Sequence, residues 1–148
     1  MSYVTIWIHA VWSTKNYEPL LHKEIRTVLF QHILENARKK GIWVDTVNGY
    51  AEHVHCLISL GKEQTISKIM MLLKGESSNW LNKSGLSKHK LYWQDDYFAV
   101  SVGQSQVERV RKHIQDQEEH HKKKSYLEEV KEFMEKYGWS KFAGTASG

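Results

Sequence analysis

The sequence predicts an α+β fold: a ferredoxin-like βαββαβ antiparallel sheet with helices on one face, followed by a C-terminal helix and extension. Two observations carry this. Apolar residues switch between a period of two and a period near 3.6 in the order strand, helix, strand, strand, helix, strand. Beyond the last strand, two Ser-x-x-Glu signals open helices and no further strand pattern follows.

Tyr3 to Ser13 alternates, with Val4, Ile6, Ile8, Ala10 and Trp12 facing one way and Thr5, Trp7, His9 and Ser13 the other. From Lys23 to Lys40 the residues Ile25, Val28, Leu29, Ile33 and Ala37 keep helical spacing, and Gly41 closes the run. Ile42 to Tyr50 and Val54 to Leu60 read as strands separated by a short break at Ala51-Glu52. Thr65 opens a second helix with the apolar stripe Ile66, Ile69, Met70, Leu73, Trp80 and Leu81, running to Lys83. Gly85 to Lys90 is a polar loop, and Phe98 to Val102 is the fourth strand. Ser105 with Glu108 predicts a helix to His121, and Ser125 with Glu128 another ending near Tyr137-Gly138. Lys122-Lys123-Lys124 between them is either a break or a bend.

At 148 residues the chain has the length of one domain, read as residues 1–141 with a small polar tail at 142–148. The single cysteine, Cys56, excludes an intrachain disulfide and fits a reducing compartment. The first residues lack the pattern of a signal peptide, and no apolar run reaches the ~20 residues of a membrane helix. These features predict a cytoplasmic protein with no membrane partner. The net charge of +4 permits a polyanionic partner without requiring one. Six tryptophans and seven tyrosines offer faces for unpaired bases, although large aromatics are more often core.

The distinctive element is Glu52-His53-Val54-His55-Cys56-Leu57-Ile58-Ser59-Leu60. Residues two apart on a strand share a face, about 6.6 Å apart. Two imidazoles so placed can converge on one metal ion. By itself the pair is equally two solvent-facing histidines on a half-exposed strand. Val54, Cys56, Ile58 and Leu60 point the other way, so the strand is expected to have a wet histidine face and a dry one. Cys56 is then a small core residue and not a ligand. Glu52 is either a support for the pair or an exposed side chain.

His53-Val54-His55 resembles the histidine–hydrophobic–histidine (HUH) motif of the single-tyrosine transposases of small insertion sequences and of the related REP-associated tyrosine transposases. His9-Ala10-Val11-Trp12-Ser13-Thr14-Lys15 resembles that family's opening strand, and Leu73-Lys74-Gly75-Glu76-Ser77-Ser78 its second helix. Tyr92 to Ser101 resembles the stretch before its last strand, and Val110 to His121 its catalytic helix. The resemblance covers roughly residues 3 to 138. It implies metal ligation by His53, His55 and Gln117, with Mg²⁺ or Mn²⁺ as the ion, Mn²⁺ being better matched to nitrogen ligands. It also implies single-stranded DNA hairpins of insertion-sequence ends as partners, and a homodimer. In the family a tyrosine four residues before the glutamine attacks a phosphodiester and leaves a 5′-phosphotyrosine. Here that catalytic position is His113.

Four readings of His113 follow: a degenerate transposase that binds DNA without cutting it; histidine as the nucleophile; another tyrosine, Tyr97 or Tyr126, in its place; or an added metal ligand. Lys74, His121, Lys122 and Lys123 are candidate DNA contacts, as Lys83, Lys88 and Lys90 are by charge alone. His121 lies two turns after His113, yet it equally suits a helix C-terminus. The competing classes are a non-catalytic nucleic-acid-binding protein and a repressor derived from a transposase.

Overall fold

A computed structural model describes residues 1–137. They form β1 (Trp7–Ser13), α1 (Lys23–Lys39), β2 (Trp43–Gly49), β3 (His53–Ser59), α2 (Ile66–Ser84), β4 (Phe98–Val102), α3 (Val107–Gln115), α4 (Gln117–His121) and α5 (Tyr126–Tyr137). The chain divides into two compact units, residues 1–117 and the segment from 118 onward. The tail read at 142–148 lies outside the described residues.

The four strands form one antiparallel sheet in the order β2-β3-β1-β4, the ferredoxin-like arrangement that the periodicity predicts. Two register facts place the site. Ser13 pairs with His53, Val11 with His55 and His9 with Leu57, so His9 shares a face with both motif histidines. The β2–β3 register shifts between Val44 and Thr46, and the bulge lies at Asp45.

One sheet face carries the main core. Ala10, Trp12, Val54, Cys56 and Ile58 pack under Leu29, Ile33 and Ala37 of α1 and Ile69, Met70 and Leu73 of α2. Cys56 belongs to this core, and burial pushes its thiol far above the usual range. Thr65 caps α2 by accepting from the Lys68 amide at 3.4 Å, and Gly85 ends the helix at φ 77°. On the opposite face α3 seats Val107 and Ile114 against Leu57.

The structure departs from the sequence reading in three places. The first strand begins at Trp7, because Tyr3, Val4 and Ile6 lie exposed with no second apolar surface to cover them. Ser105 caps no helix: Gln104–Gln106 form a 3₁₀ turn, and α3 starts two residues after Ser105. The helix expected to run unbroken to His121 is interrupted at Asp116 (φ −93°, ψ 19°), which divides α3 from α4. In the second unit the Ser125 cap is present: its hydroxyl accepts from the Glu128 amide at 3.2 Å and donates to the Glu128 carboxylate. A turn at Lys122 to Ser125 separates α4 from α5, so the lysine run is a break.

Candidate functional site

Strand alternation sends His53 and His55 of β3 and His9 of β1 to the face that α3 covers. The histidine face is therefore not wet, contrary to the sequence reading: His53 and His55 are 0% exposed. Burial of polar rings at this depth requires partners on the protein side. The structure supplies them to both rings.

His53 Nδ1 lies 2.8 Å from Glu52 Oε1. A carboxylate only accepts, so the Nδ1–H donates and the other nitrogen, Nε2, carries the lone pair of a neutral ring. Nε2 faces Gln117 Oε1 at 3.2 Å. The glutamine amide is oriented by its own nitrogen, which donates to the His113 carbonyl oxygen at 3.1 Å. Two lone-pair atoms thus face each other across 3.2 Å. A proton on Nε2 reconciles them, and so does a cation held by both. The donor set of His53, His55 and Gln117 therefore fits a divalent ion with mixed nitrogen and oxygen preference. His53 and His55 stand with ring centres 5.0 Å apart. Imidazoles sharing an ion at about 2.1 Å place their ring centres about 5 Å apart.

His55 Nδ1 is engaged by His9 Nε2 at 2.8 Å, and the two rings stack at 5.1 Å. His113, on α3, presents its ring edge-on to both, 5.9 Å from His55 and 6.3 Å from His9. His113 thus adjoins the histidine cluster. Although Asp116 interrupts the helix, Gln117 still hydrogen-bonds one turn back to His113.

Two further contacts dock α3 on the sheet. Arg111 spans both carboxylate oxygens of Asp45, at 2.8 and 3.1 Å, and also bonds Glu108. Asn48 donates to the Gln115 carbonyl oxygen at 3.0 Å. Burial alone would raise the Asp45 carboxyl, but hydrogen bonds from Arg111 and Thr46 and the charges of Arg111 and Arg38 hold it below its usual value. The turn between β2 and β3 is equally constrained: a Cβ at Gly49 would lie 2.1 Å from the His53 carbonyl oxygen. Glycine at 49 lets the turn close directly before the motif. Thr14 steadies Glu52, the residue before His53, its amide donating to the Glu52 carbonyl oxygen at 2.8 Å.

Of the other candidates, Lys74 is occupied. Its ammonium donates to the carbonyl oxygens of Gln94, Asp95 and Asp96 at 2.6, 2.8 and 3.4 Å, which fastens the loop before β4. Burial pulls its pKa down, opposed by Asp95 and Asp96. Tyr97 packs against the core on the α1–α2 side, across the sheet from the histidines. In the second unit Tyr126 is buried, His121 Nε2 meets Glu129 at 2.9 Å, Lys122 pairs with Glu119 at 2.8 Å, and Lys123 is exposed. His9, Asp45 and Gly49 were not singled out as site residues from the sequence. For His9 the signal was present: it alternates onto the face opposite Ala10 and Trp12.

Comparison with known proteins agrees with this architecture. A family profile described as "Transposase IS200 like" matches residues 2–117. The ISDra2 transposase TnpA of Deinococcus radiodurans is 26% identical over 114 residues, covering 74% of this chain and 81% of that protein. Among solved structures, a candidate transposase from Deinococcus radiodurans superposes with a TM-score of 0.62 at 20% identity, over 79% of this chain and 95% of that one. A REP-associated tyrosine transposase bound to a REP hairpin superposes with a TM-score of 0.57 at 17% identity, over 82% and 72%.

Proposed function

Because the chain belongs to the IS200-like transposase family, we propose that it binds hairpin-ended single-stranded DNA of an insertion sequence and is impaired in cutting it. What supports this reading is His113, which stands where the resemblance puts the family's tyrosine and whose ring centre lies 5.9 Å from that of His55. A phenol that attacks the phosphorus displaces the 3′ oxygen, which leaves as the 3′ hydroxyl, and gives a stable aryl phosphodiester to the 5′ side that stores the bond for rejoining. An imidazole in its place gives at best a labile phosphoramidate.

His53, His55 and Gln117 are the residues that would hold Mg²⁺ or Mn²⁺. When bound, the ion supplies Lewis acidity toward a scissile phosphate. The protein's own contribution is orientation. Glu52 fixes the His53 ring, the His113 carbonyl fixes the Gln117 amide, and α3 is clamped by Arg111 on Asp45. A hairpin as ligand is supported by the REP hairpin bound to one of the structural relatives. A homodimer follows from the family resemblance. The buried thiol of Cys56 suits the reducing cytoplasm, and among the described residues no helix is long and apolar enough to cross a membrane.

The test is a cleavage assay with labelled single-stranded DNA carrying the hairpin that flanks the source element, in Mn²⁺, on the unsubstituted protein and on His113→Tyr. The expected result is hairpin binding by both, with cleavage and covalent attachment only by the tyrosine variant. Cutting and attachment by the unsubstituted protein would make His113 or another residue the nucleophile. Binding that is indifferent to EDTA, with no cleavage by either, would favour a repressor derived from a transposase.

A further inference from the structure

We infer that His9 is a positioning residue for His55: its Nε2 accepts the His55 Nδ1–H, so that His55 presents the lone pair of Nε2 to the ion. This rests on the metal reading of His53, His55 and Gln117 and adds to it a residue from another strand. Three observations support it. The His9 Nε2 to His55 Nδ1 distance is 2.8 Å, within the range of a hydrogen bond. Both rings are buried, 6% and 0% exposed, so water is poorly placed to substitute for either partner. The arrangement also repeats at the neighbouring ligand, where Glu52 takes the same nitrogen, Nδ1, of His53. Both motif histidines are thus held through Nδ1 and leave Nε2 as the outer nitrogen.

A histidine ligand needs such a partner because the neutral ring has two tautomers and only one leaves a lone pair on a given nitrogen. Glu52 can only accept and so determines the choice outright. His9 does so in its own Nδ1–H tautomer, which leaves the Nε2 lone pair facing His55 Nδ1. It lies on the neighbouring strand, diagonal to His55, and the His9↔Leu57 and Val11↔His55 pairs set the distance between them. The two supports differ in charge. Glu52 brings a negative charge to His53, whereas His9 brings none to His55, which limits the anionic charge gathered where a phosphate has to approach.

The test separates this role from the metal reading by using two readouts. In the metal-free protein at about pH 8, above the ordinary imidazole value of about 6.5, long-range ¹H–¹⁵N correlations report the tautomer of each ring. The expected result is a single Nδ1–H tautomer of His55 in the unsubstituted chain and in His9→Gln, whose side-chain oxygen reaches the place of Nε2. His9→Ala is expected to show a mixture. Titration calorimetry with Mn²⁺ should then show affinity about 10- to 100-fold weaker for His9→Ala, the usual effect of removing a ligand's hydrogen-bond partner, and largely restored in His9→Gln. An Nε2–H tautomer of His55 in the unsubstituted chain would overturn the inference. So would His9→Gln losing as much affinity as His9→Ala, because an acceptor atom in the place of Nε2 would then contribute nothing to the site. If the unsubstituted chain shows the Nδ1–H tautomer but binds no Mn²⁺, the metal reading fails and the positioning of His55 by His9 stands.

Discussion

β3 offers two environments on one strand. Val54, Cys56 and Ile58 are fully buried beneath α1 and α2, while His53 and His55, which alternate with them along the strand, are equally buried on the side of α3. On the first face each side chain is buried because it is apolar and its neighbours are too. On the second, rings that prefer water are buried because other polar groups complete them: Glu52 and Gln117 for His53, and His9 for His55. Burial on the first face contributes stability directly, about 25 cal/mol for each Å² removed from water. Burial on the second contributes little net stability and instead fixes orientation. Fold and chemistry are thereby assigned to opposite sides of the same backbone.

The largest expected effect breaks this comparison at its apolar side. Trp12 is 1% exposed and packs edge-on to Trp93 at 5.8 Å. Trp12→Ala should cost about 3–5 kcal/mol in urea or thermal unfolding, the range for a buried aromatic deleted from a close-packed core. His55→Ala should cost distinctly less in the metal-free protein. Its signature is the loss of metal-linked stabilisation, which for an intact site reaches about 2.7 kcal/mol at a free Mn²⁺ concentration 100 times Kd. Thermal melts of both variants with Mn²⁺ and with EDTA measure the two quantities. Equal metal-free losses would mean that the histidine face carries the fold as much as the apolar one.

How much of this was legible in the sequence follows the same division. The apolar face announces itself by period, because each of its residues is chosen by one property. The order of elements along the chain and the direction of Cys56 follow from alternation, and the joining of Gln117 to His53 and His55 is what the family resemblance implies. The polar face depends on which strands become neighbours, and no local pattern encodes that. His9 acquires a partner at His55 only when β1 lies beside β3, 46 positions away in the chain. Asp45 meets Arg111 through a bulge in β2, and bulges leave no periodic trace. The wet face expected for the histidines fails for the same reason: nothing in the alternation of β3 says that Val107 and Ile114 of α3 reach Leu57 and cover that face.

A smaller effect sharpens the polar side. Asp45 is held below the ordinary carboxylate value, so its folded-state pKa is lower than its unfolded one, about 3.9. The stability it contributes is then full above about pH 4 and is lost as pH falls through the folded value. Asp45→Asn should remove about 1 kcal/mol at neutral pH, a modest sum for a two-pronged but partly exposed pair. The stability difference from the unsubstituted chain should shrink toward zero as the pH is lowered below 4. Denaturant titrations at pH 7 and at successive acid steps read it directly. A difference that persisted undiminished in acid would show that Asp45 acts through packing and not through its charge on Arg111.

The smallest effect tests which lysines belong to the DNA-binding surface. Lys74 resembles a phosphate contact by charge, but its ammonium is already spent on three carbonyl oxygens. Lys122 pairs with the exposed Glu119, and Lys123 is itself exposed. A side chain already bound to the protein releases no counterion from DNA, whereas an exposed one that replaces a condensed cation does. For single strands each phosphate contact contributes about 0.7 to the slope of log Kobs against log salt. Lys122→Ala and Lys123→Ala should each lower the slope for hairpin-ended single-stranded DNA by about that amount, measured by fluorescence anisotropy across a salt series. Lys74→Met should leave the slope unchanged even where it weakens binding by loosening residues 94–96. A fall in slope for Lys74→Met equal to that of Lys122→Ala would mean that the ammonium abandons the loop for phosphate when DNA arrives.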